Sequence, residues 1–177
     1  MKVICFGDSN TYGYDPRPRS GGRYAPDSRW VDLLAAETGW TIRNMGQNGR
    51  EIPRTAPDLP ADTDLLIVML GTNDLLGGKS PKEAIRRLER FLADIPLDRD
   101  RILLIAPPPV TLGEWIPHPR LIDNARAFAG LCQALAERLG IRFADAGKWD
   151  IPLADDGVHF TGQGHRAFAS ELMKKLP

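Results

Sequence analysis

The sequence predicts an α/β protein in which a five-stranded parallel sheet lies between two layers of helices, as a three-layer α/β/α sandwich. Short apolar runs of strand length alternate with segments of helical spacing through all 177 residues, as in parallel strands joined by crossover helices. The middle runs, "LLIVML" and "RILLIA", are apolar without polar alternation, which is typical of strands covered on both faces. A chain of this length fits one domain, residues 1–177, with a sizeable core.

Five apolar runs are predicted to form the strands. The first starts almost at once, because residues 3–6 between Lys2 and Gly7 are apolar or cysteine. Stretches rich in proline and glycine, such as "YDPRPRSGGRYAPD", "IPRTAPDLPADTD" and "APPPVTLGEWIPHPR", separate the elements and are expected as loops at the rims of the sheet. In chain order the predicted strands are Val3–Phe6, Thr41–Asn44, Leu65–Leu70, Ile102–Ala106 and Ile141–Ala144.

Four segments have helical spacing together with start or stop signals. The first follows Asp27 and Ser28, and the second follows a Ser-Pro pair at residues 80 and 81, a cap with a first-turn proline. The third stops at Gly140, and the fourth follows Thr161. Their apolar stripes are expected to face the core, and they are Trp30, Leu33 and Leu34; Ala84, Ile85, Leu88 and Leu92; Leu121, Ala125, Phe128, Cys132, Leu135 and Leu139; and Phe168, Leu172, Met173 and Leu176.

Charge and composition argue against several classes of function. Lysine plus arginine (23) equals aspartate plus glutamate (23), so the chain lacks the field that gathers nucleic acid or an anionic membrane. An apolar run of about 18 residues that could span a bilayer is absent, as is a signal-type segment, so we expect a cytoplasmic protein. Cys5 and Cys132 are the two cysteines, and we expect both to be buried and reduced.

Polar residues and glycines follow the predicted strands. In open parallel sheets the ligand crevice lies outside the carboxyl ends of the strands, near the switch in strand order. "GDSN" follows the first strand, "GQNG" the second and "GTND" the third. The proline loop with Trp115 and His118 follows the fourth, and "DDGVHFTGQGH" comes after the fifth. The sequence therefore predicts a polar site at this edge of the sheet.

Three histidines are candidates for a base that could activate a serine. His118 lies between prolines with no acid nearby, and His165 falls in the first turn of the last helix, where a surface or capping role is equally expected. His159 follows Asp156 by three residues in a turn-prone loop, a spacing that lets both side chains point into one site. His159 is therefore the candidate base.

For each of these motifs a purely structural role stays open as the alternative. "DGVHFT" can be a turn that leads into a helix capped by Thr161, with His159 packed at its entrance. "GTND" and "GQNG" can be simple turns, although Gly49 N–H, the Asn73 side-chain amide and Ser9 N–H would suit the stabilisation of an oxyanion. A zinc site from Asp156 and His159 lacks a second histidine or cysteine at ligand spacing.

Taken together and in this order, the four motifs resemble the SGNH hydrolase superfamily, the GDSL-type esterases, from Phe6 to His165. The resemblance implies a flavodoxin-like α/β fold and a serine esterase that needs no metal or organic cofactor. Ser9 matches the nucleophile, and Asp156 and His159 match the acid and the base; the spacing selects Asp156 over its neighbour Asp155. Ser9 N–H, Gly49 N–H and the Asn73 amide match the oxyanion hole.

Further stretches resemble a narrower branch, the bacterial arylesterase and acyltransferase group with its perhydrolase-type enzymes. They are "CFGDSNTYGY", "RYAPDSRW", "VMLGTND", "APPP", "ADAG" and "DGVHFT". The resemblance implies small, short-chain esters such as acetates as substrates, acyl transfer to alcohols beside hydrolysis, and a homo-oligomer whose neighbouring subunits wall off the site. A carbohydrate O-acetyl esterase is the alternative, and a flavodoxin-like module that binds flavin or phosphate is a remote one.

The residues around the matched motifs suggest a substrate pocket. The fourth letter of the GDSL block is Asn10 instead of leucine, which bears on the shape of the pocket beside the nucleophile. Arg29 and Arg50 could face a charged substrate, although isolated arginines are usually solvated. Trp30 can equally be a core residue on its helix stripe. The candidate pocket residues are Asn10, Tyr12, Trp30, Asn48 and Trp115.

Overall fold

A computed structural model describes residues 1–17 and 22–176 and contains one five-stranded parallel sheet. The strand order is β2-β1-β3-β4-β5, which is the flavodoxin-like order. The predicted sheet is confirmed, and the strand boundaries agree with the predicted ones to within two residues. The strands are β1 (Lys2–Gly7), β2 (Thr41–Gly46), β3 (Leu65–Met69), β4 (Ile102–Ala106) and β5 (Arg142–Asp145).

All four predicted helices are present, and two short ones follow β1 and β3 directly. These two have one turn or little more, so they carry no apolar stripe that a sequence pattern could reveal. The helices are α1 (Ser9–Tyr12), α2 (Trp30–Thr38), α3 (Thr72–Leu76), α4 (Pro81–Ala93), α5 (Arg120–Leu139) and α6 (Gly162–Met173).

The predicted helix signals have physical counterparts in most cases. Ser80 and Glu83 form a reciprocal capping box at the start of α4, and the Thr161 hydroxyl accepts a hydrogen bond from Gly164 N–H at 2.9 Å. Gly140 ends α5 in a left-handed conformation. The signal at Asp27 and Ser28 instead forms a 3₁₀ turn, Pro26–Ser28, and α2 begins after it without a side-chain cap.

The sheet separates two apolar cores because neighbouring strand residues point to opposite faces. Ile4 and Phe6 pack with α4 and α5 on one face, whereas Val3 and Cys5 pack with α2 and α6 on the other. This arrangement confirms the three-layer α/β/α architecture. Cys132 lies in the first core and Cys5 in the second, and both are buried and free, as predicted. Burial raises the pKa of both thiols and keeps them protonated.

The loops at the carboxyl ends of the strands meet where the strand order reverses between β1 and β3. Gly7 at the end of β1 pairs with Gly46 of β2 and with Met69 of β3. The segments after these three residues therefore lie side by side. Part of the predicted loop "YDPRPRSGGRYAPD", residues 18–21, lies outside the described residues. Within the described part, no helix is long and apolar enough to cross a membrane.

Candidate active site

Ser9, His159 and Asp156 form one continuous hydrogen-bonded chain. His159 Nε2 lies 3.0 Å from Ser9 Oγ, and His159 Nδ1 lies 2.7 Å from Asp156 Oδ2. All three residues are buried, with 6%, 3% and 5% of their surface exposed, respectively. The long-range pairing that the sequence predicted for these residues is therefore present, across 150 positions of the chain.

Ser9 begins α1, the short helix that follows β1. Asp8 caps this helix by accepting a hydrogen bond from Asn10 N–H at 3.0 Å. Burial raises the pKa of Asp8 to about 6, although the Asn10 N–H and the nearby Arg50 favour its charged form. Ser9 is the first residue of the helix, and the N–H groups of the first turn have no hydrogen-bond acceptor within a helix. The Ser9 N–H is one of them.

Asp156 is held in a tight turn by the backbone that follows it. Its Oδ1 accepts hydrogen bonds from Val158 N–H at 2.8 Å and His159 N–H at 2.9 Å, while Oδ2 faces the imidazole. Burial alone would raise the pKa of Asp156, but these two N–H groups and the imidazole together hold its pKa below the ordinary value. Asp156 is therefore ionised at neutral pH and fixes the orientation of the His159 ring.

Gly157 allows this turn. Its φ is +80°, a left-handed conformation, and a Cβ at this position would overlap the Thr111 carbonyl oxygen. Gly157 O in turn accepts a hydrogen bond from Thr111 N–H at 2.9 Å. The loop after β4 and the loop that carries His159 are thus joined at a point where only glycine fits.

Two aromatic rings flank the His159 imidazole. The ring centroids of Tyr14 and Trp115 lie 4.6 Å and 4.9 Å from that of His159. The predicted pocket residue Trp115 therefore lies beside the candidate base. Its side chain also faces solvent, because it is 51% exposed. Tyr14 was not predicted, because it lies in an irregular loop whose sequence shows no periodic pattern; Tyr14 N–H donates to Ser9 O at 3.0 Å.

Two further candidate oxyanion donors follow β2 and β3: Gly49 lies in the loop after β2, and Asn73 lies in α3. Asn73 Nδ2 donates to Arg50 O at 3.1 Å, and Gly49 precedes Arg50 in a turn, with a φ of +70°. Gln47 N–H donates to Gly7 O at 3.2 Å, in the same loop. A carboxamide carries two N–H donors, so Asn73 retains one after its bond to Arg50.

The two arginines considered for substrate binding have structural partners instead. Arg50 Nη1 donates to Gly7 O at 3.0 Å and to Met45 O, and its guanidinium stacks 4.2 Å from the Phe6 ring. Arg29 is 9% exposed and pairs with Asp32 at 2.7 Å. Their charged groups are engaged with the fold, so these contacts give no support to the expectation that the two arginines face a charged substrate.

A further buried carboxylate, that of Asp74, supports the segment that follows Gly49. Asp74 is fully buried and accepts a hydrogen bond from Ile52 N–H at 2.8 Å, while Arg87 Nε lies 3.2 Å from its other oxygen. Burial raises the pKa of Asp74, against the opposing effects of the Ile52 N–H and Arg87. Sequence reasoning missed this role because the partners lie on two other segments.

Two of the predicted pocket residues belong to the interior. Trp30 is 1% exposed, packs against Phe168 and donates from Nε1 to Asn10 O at 2.9 Å. Asn10 is 6% exposed, and both polar groups of its side chain are bonded to the backbone of Val158 and Phe160. For Trp30 the core alternative is correct, and the Asn10 side chain is bonded to the backbone on both sides of His159.

Tyr12 and Asn48 stay predictions as pocket residues. Tyr12 is half-buried, and the Arg23 guanidinium stacks on its ring at 4.2 Å. Asn48 is exposed in the turn just before Gly49.

The other two histidines take no part in the hydrogen bonds that join Ser9, His159 and Asp156. His165 is fully buried, so the expected surface or capping role is wrong; its Nδ1 accepts from Trp30 N–H at 3.5 Å. Burial lowers the pKa of His165 to about 3, so it stays neutral at physiological pH. His118 is exposed. Among the residues that the structure describes, no cluster of three or more histidine, cysteine or acidic side chains could hold a metal ion.

A small, almost wholly apolar cavity lies beside Thr72 at the start of α3. It opens between α3, α5 and the proline loop after β4, and Thr72, the residue before Asn73, contributes its polar wall. Val110 in its lining belongs to a small apolar cluster with Val158, the residue before His159. The full lining is Thr72, Leu75, Leu76, Pro107, Pro108, Val110, Leu121, Ala125 and Phe128.

A buried Ser–His–Asp chain at the carboxyl edge of a parallel sheet is an arrangement of serine hydrolases. This protein belongs to the GDSL-like lipase/acylhydrolase family, whose model matches residues 5–167 of the polypeptide. A search of curated proteins gives no match. The resemblance inferred from the motifs is therefore confirmed, and the enzyme is an SGNH serine esterase.

Solved structures agree with this assignment. Est24, a carbohydrate acetylesterase from Sinorhizobium meliloti, is 25% identical with a TM-score of 0.80, covering 99% of this chain and 97% of its own. A carbohydrate acetylesterase family member from the same organism is 26% identical with a TM-score of 0.81, covering 98% and 96%. The M. smegmatis aryl esterase is 26% identical with a TM-score of 0.79, covering 99% and 100%.

Proposed function

We propose that this esterase hydrolyses small carboxylic esters with short acyl groups, acetate above all, through an acyl-enzyme on Ser9. The observation that supports the proposal most is the buried chain from Ser9 Oγ through His159 to the ionised Asp156. Asp156 accepts the His159 Nδ1 proton, which leaves the Nε2 lone pair facing the Ser9 hydroxyl. His159 then takes the Ser9 proton as Oγ attacks the ester carbonyl carbon.

The negative charge that develops on the carbonyl oxygen needs donors that are already in place. We assign this role to Ser9 N–H, Gly49 N–H and the second N–H of the Asn73 amide. Loss of one such donor typically lowers the rate about 10²–10³-fold. The hydrogen bond from Asn73 to Arg50 O, 3.1 Å long, supports the assignment because it orients the amide against the loop that carries Gly49.

Breakdown of the tetrahedral intermediate completes the first half of the reaction. The alcohol oxygen leaves with the proton that His159 took from Ser9, and the acyl group stays on Ser9 Oγ. Water, deprotonated by His159, then attacks the acyl carbonyl; the bond from the acyl carbon to Ser9 Oγ breaks, His159 returns the proton to Oγ, and the acid is released. This sequence of steps draws on the chain's own residues for every proton transfer.

Short acyl groups are favoured by the surroundings of the site. The cavity beside Thr72, the residue before Asn73, has an apolar lining apart from that threonine, and such a surface suits a methyl or ethyl group. We propose this cavity as the acyl pocket. Leu76→Ala would enlarge it and is expected to raise the relative rate for longer acyl chains.

An alcohol in place of water at the second step would make the enzyme an acyltransferase. The half-exposed Trp115 ring beside His159 supports this extension, because an apolar surface at the attack site favours an alcohol over water. Product analysis in an alcohol–water mixture tests it. A new ester beside the free acid is expected, and free acid alone would limit the enzyme to hydrolysis.

A carbohydrate O-acetyl esterase is the second candidate. Trp115 and Tyr14 line a surface pocket together with Glu114, Asp155 and Arg17, a mixture of aromatic and charged groups that suits a sugar ring and its hydroxyls. Est24, one of the similar structures, is described as a carbohydrate acetylesterase. Release of acetate from acetylated sugars, compared with release from aryl and alkyl acetates, separates the two candidates.

The remaining expectations belong to the same proposal. We propose that residues 1–177 act as one domain in the cytoplasm, without a metal or organic cofactor, and that copies associate into a homo-oligomer. The two exposed apolar side chains of the loop after β4, Leu112 and Trp115, support association because they are 62% and 51% exposed near the site. Light scattering at several concentrations measures the assembly state.

The direct test of the proposed function replaces the nucleophile. Ser9→Ala is expected to abolish hydrolysis of an activated acetate ester such as 4-nitrophenyl acetate. The substitution removes the hydroxyl that faces His159 Nε2 and is proposed to attack the carbonyl. Ser170→Ala is the control, since Ser170 is exposed on α6. Full activity in Ser9→Ala would overturn the proposal.

A further inference from the structure

We propose that Asn10 is a positioning residue: its side chain holds the backbone on both sides of His159 and so keeps the imidazole in line with Ser9. The inference rests on the proposed function and goes beyond it. It assigns a catalytic contribution to the position next to the nucleophile, where the motif letter is asparagine instead of leucine.

The Asn10 side chain bonds the two peptide groups that flank His159. Its Nδ2 donates to Val158 O at 3.0 Å, and its Oδ1 accepts from Phe160 N–H at 2.9 Å. The donor faces an acceptor and the acceptor faces a donor, so this orientation of the amide satisfies both ends. A flipped amide would place oxygen against oxygen at Val158.

Asn10 itself is anchored in the buried part of the fold. Its N–H donates to Asp8 Oδ1 at 3.0 Å, and its carbonyl oxygen accepts from Trp30 Nε1 at 2.9 Å. The residue is 6% exposed, and hydrogen bonds in such surroundings are stronger than in water. The side chain therefore extends from a backbone that is fixed on both sides, directly after Ser9.

These bonds link the two halves of the catalytic pair. Within the described residues, three hydrogen bonds join residues 158–160 to α1. One is the bond between Ser9 and His159, and the Asn10 side chain makes the other two. The other bonds of that segment, to both oxygens of Asp156 and from Ala154 N–H to His159 O at 2.7 Å, lie within its own loop. They shape the loop, but they do not place it against Ser9.

The expected consequence is a loss of turnover instead of a loss of binding. A displacement of about 1 Å in a catalytic group can cost about 10²-fold in rate. Both polar atoms of the Asn10 side chain bond the backbone beside His159, and the residue is only 6% exposed, so we expect its contribution to substrate binding to be small. Removal of the side-chain bonds is therefore expected to lower kcat and to leave KM nearly unchanged.

Two variants and one control test the inference. Asn10→Leu keeps the size of the side chain and removes both bonds; we expect kcat for 4-nitrophenyl acetate to fall about 10- to 100-fold, with KM within about twofold. Thr161→Val is the control, because it removes two hydroxyl bonds close to His159 in sequence, to Pro152 O and from Gly164 N–H, without touching the flanking peptides. It is expected to lose stability and to keep kcat.

Asn10→Asp is the second variant, and it keeps the test valid if Asn10→Leu fails to fold. A protonated carboxyl can donate to Val158 O and accept from Phe160 N–H, whereas an ionised one cannot donate. The titratable groups around this position are Asp8, Asp156, His159 and His165; the two carboxylates disfavour a further negative charge. They are also present in the wild type, so dividing by wild-type kcat at each pH cancels the part of their titration that the substitution leaves unchanged.

The ratio of variant to wild-type kcat is therefore expected to rise towards one as the pH falls, with protonation of the introduced carboxyl. Three outcomes overturn the inference: wild-type kcat in Asn10→Leu, a parallel loss of kcat in Thr161→Val, or a ratio for Asn10→Asp that does not change with pH. Failure of the proposed function gives a different result. In that case the wild type does not hydrolyse the ester, or Ser9→Ala is as active as the wild type.

Discussion

Replacing Asp156 by asparagine probes how the His159 ring is oriented. Asp156 takes three hydrogen bonds, from Val158 N–H and His159 N–H at Oδ1 and from His159 Nδ1 at Oδ2. In Asp156→Asn the remaining oxygen can keep the two backbone bonds, so the new NH₂ group faces His159 Nδ1. That donor requires a lone pair on Nδ1 and moves the ring proton to Nε2, where it faces Ser9 Oγ. His159 can then no longer accept the Ser9 proton.

The size of the effect follows from the loss of the correct tautomer. In the serine protease triad the same exchange lowers kcat about 10⁴-fold, equivalent to about 5.4 kcal/mol of transition-state stabilisation. We expect a loss of this order for Asp156→Asn with 4-nitrophenyl acetate, at unchanged KM. Asp155→Asn is the matched control, because Asp155 is exposed and adjacent, and it should keep kcat. A loss below about tenfold in Asp156→Asn would refute the reasoning.

Two further predictions concern stability and the turn before His159. Because the pKa of Asp156 is lower in the folded chain than in the unfolded one, its stabilising contribution is present above the ordinary pKa of about 3.9 and is lost as the pH falls through the folded-state value. Urea unfolding should therefore show the stability advantage of wild type over Asp156→Asn shrinking below about pH 5, and a constant difference would contradict this. Gly157→Ala should lower the free energy of unfolding by at least about 1–2 kcal/mol, because of its positive φ and the overlap with Thr111 O. Gly130→Ala, in open space within α5, should be neutral or stabilising, and equal effects of the two substitutions would contradict the role of the turn.

Most of the fold could be predicted from the sequence because its signals are local. Unbroken apolar runs such as Leu65–Leu70 define buried strands, and the stripe that stops at Gly140 defines α5. The short helices α1 and α3 could not be predicted, since one turn has no period to detect. Their positions follow from the tertiary contacts at the ends of β1 and β3.

The candidate site could be predicted only in part. Ser9 and His159 were identified because their motifs occur in strand order, and the structure places them 3.0 Å apart. The partners of Asn10, Arg50 and Asp74 could not be predicted, because those side chains bond to backbone atoms of distant segments. A polar residue beside a nucleophile suggests a contact with the substrate. The Asn10 side chain instead forms hydrogen bonds with the backbone of Val158 and Phe160.

Residues of the same type can have different surroundings that the sequence does not distinguish, as the two tryptophans Trp30 and Trp115 show. Trp30 and Trp115 were both candidate pocket residues, yet one is 1% and the other 51% exposed. The helical stripe predicted the burial of Trp30, and no pattern predicted that Trp115 would lie against His159. Tyr14, the second aromatic neighbour of that ring, lies in a loop without any such signal.

The central claim is that an acyl group is carried by Ser9 during turnover. Mass spectrometry of enzyme quenched in acid during hydrolysis of 4-nitrophenyl acetate, followed by proteolysis, measures this directly. We predict a mass increase of one acetyl group on the peptide that contains Ser9, and none on that peptide in Ser9→Ala. An acetyl group found on another residue under turnover conditions, with the Ser9 peptide unmodified, would contradict the account.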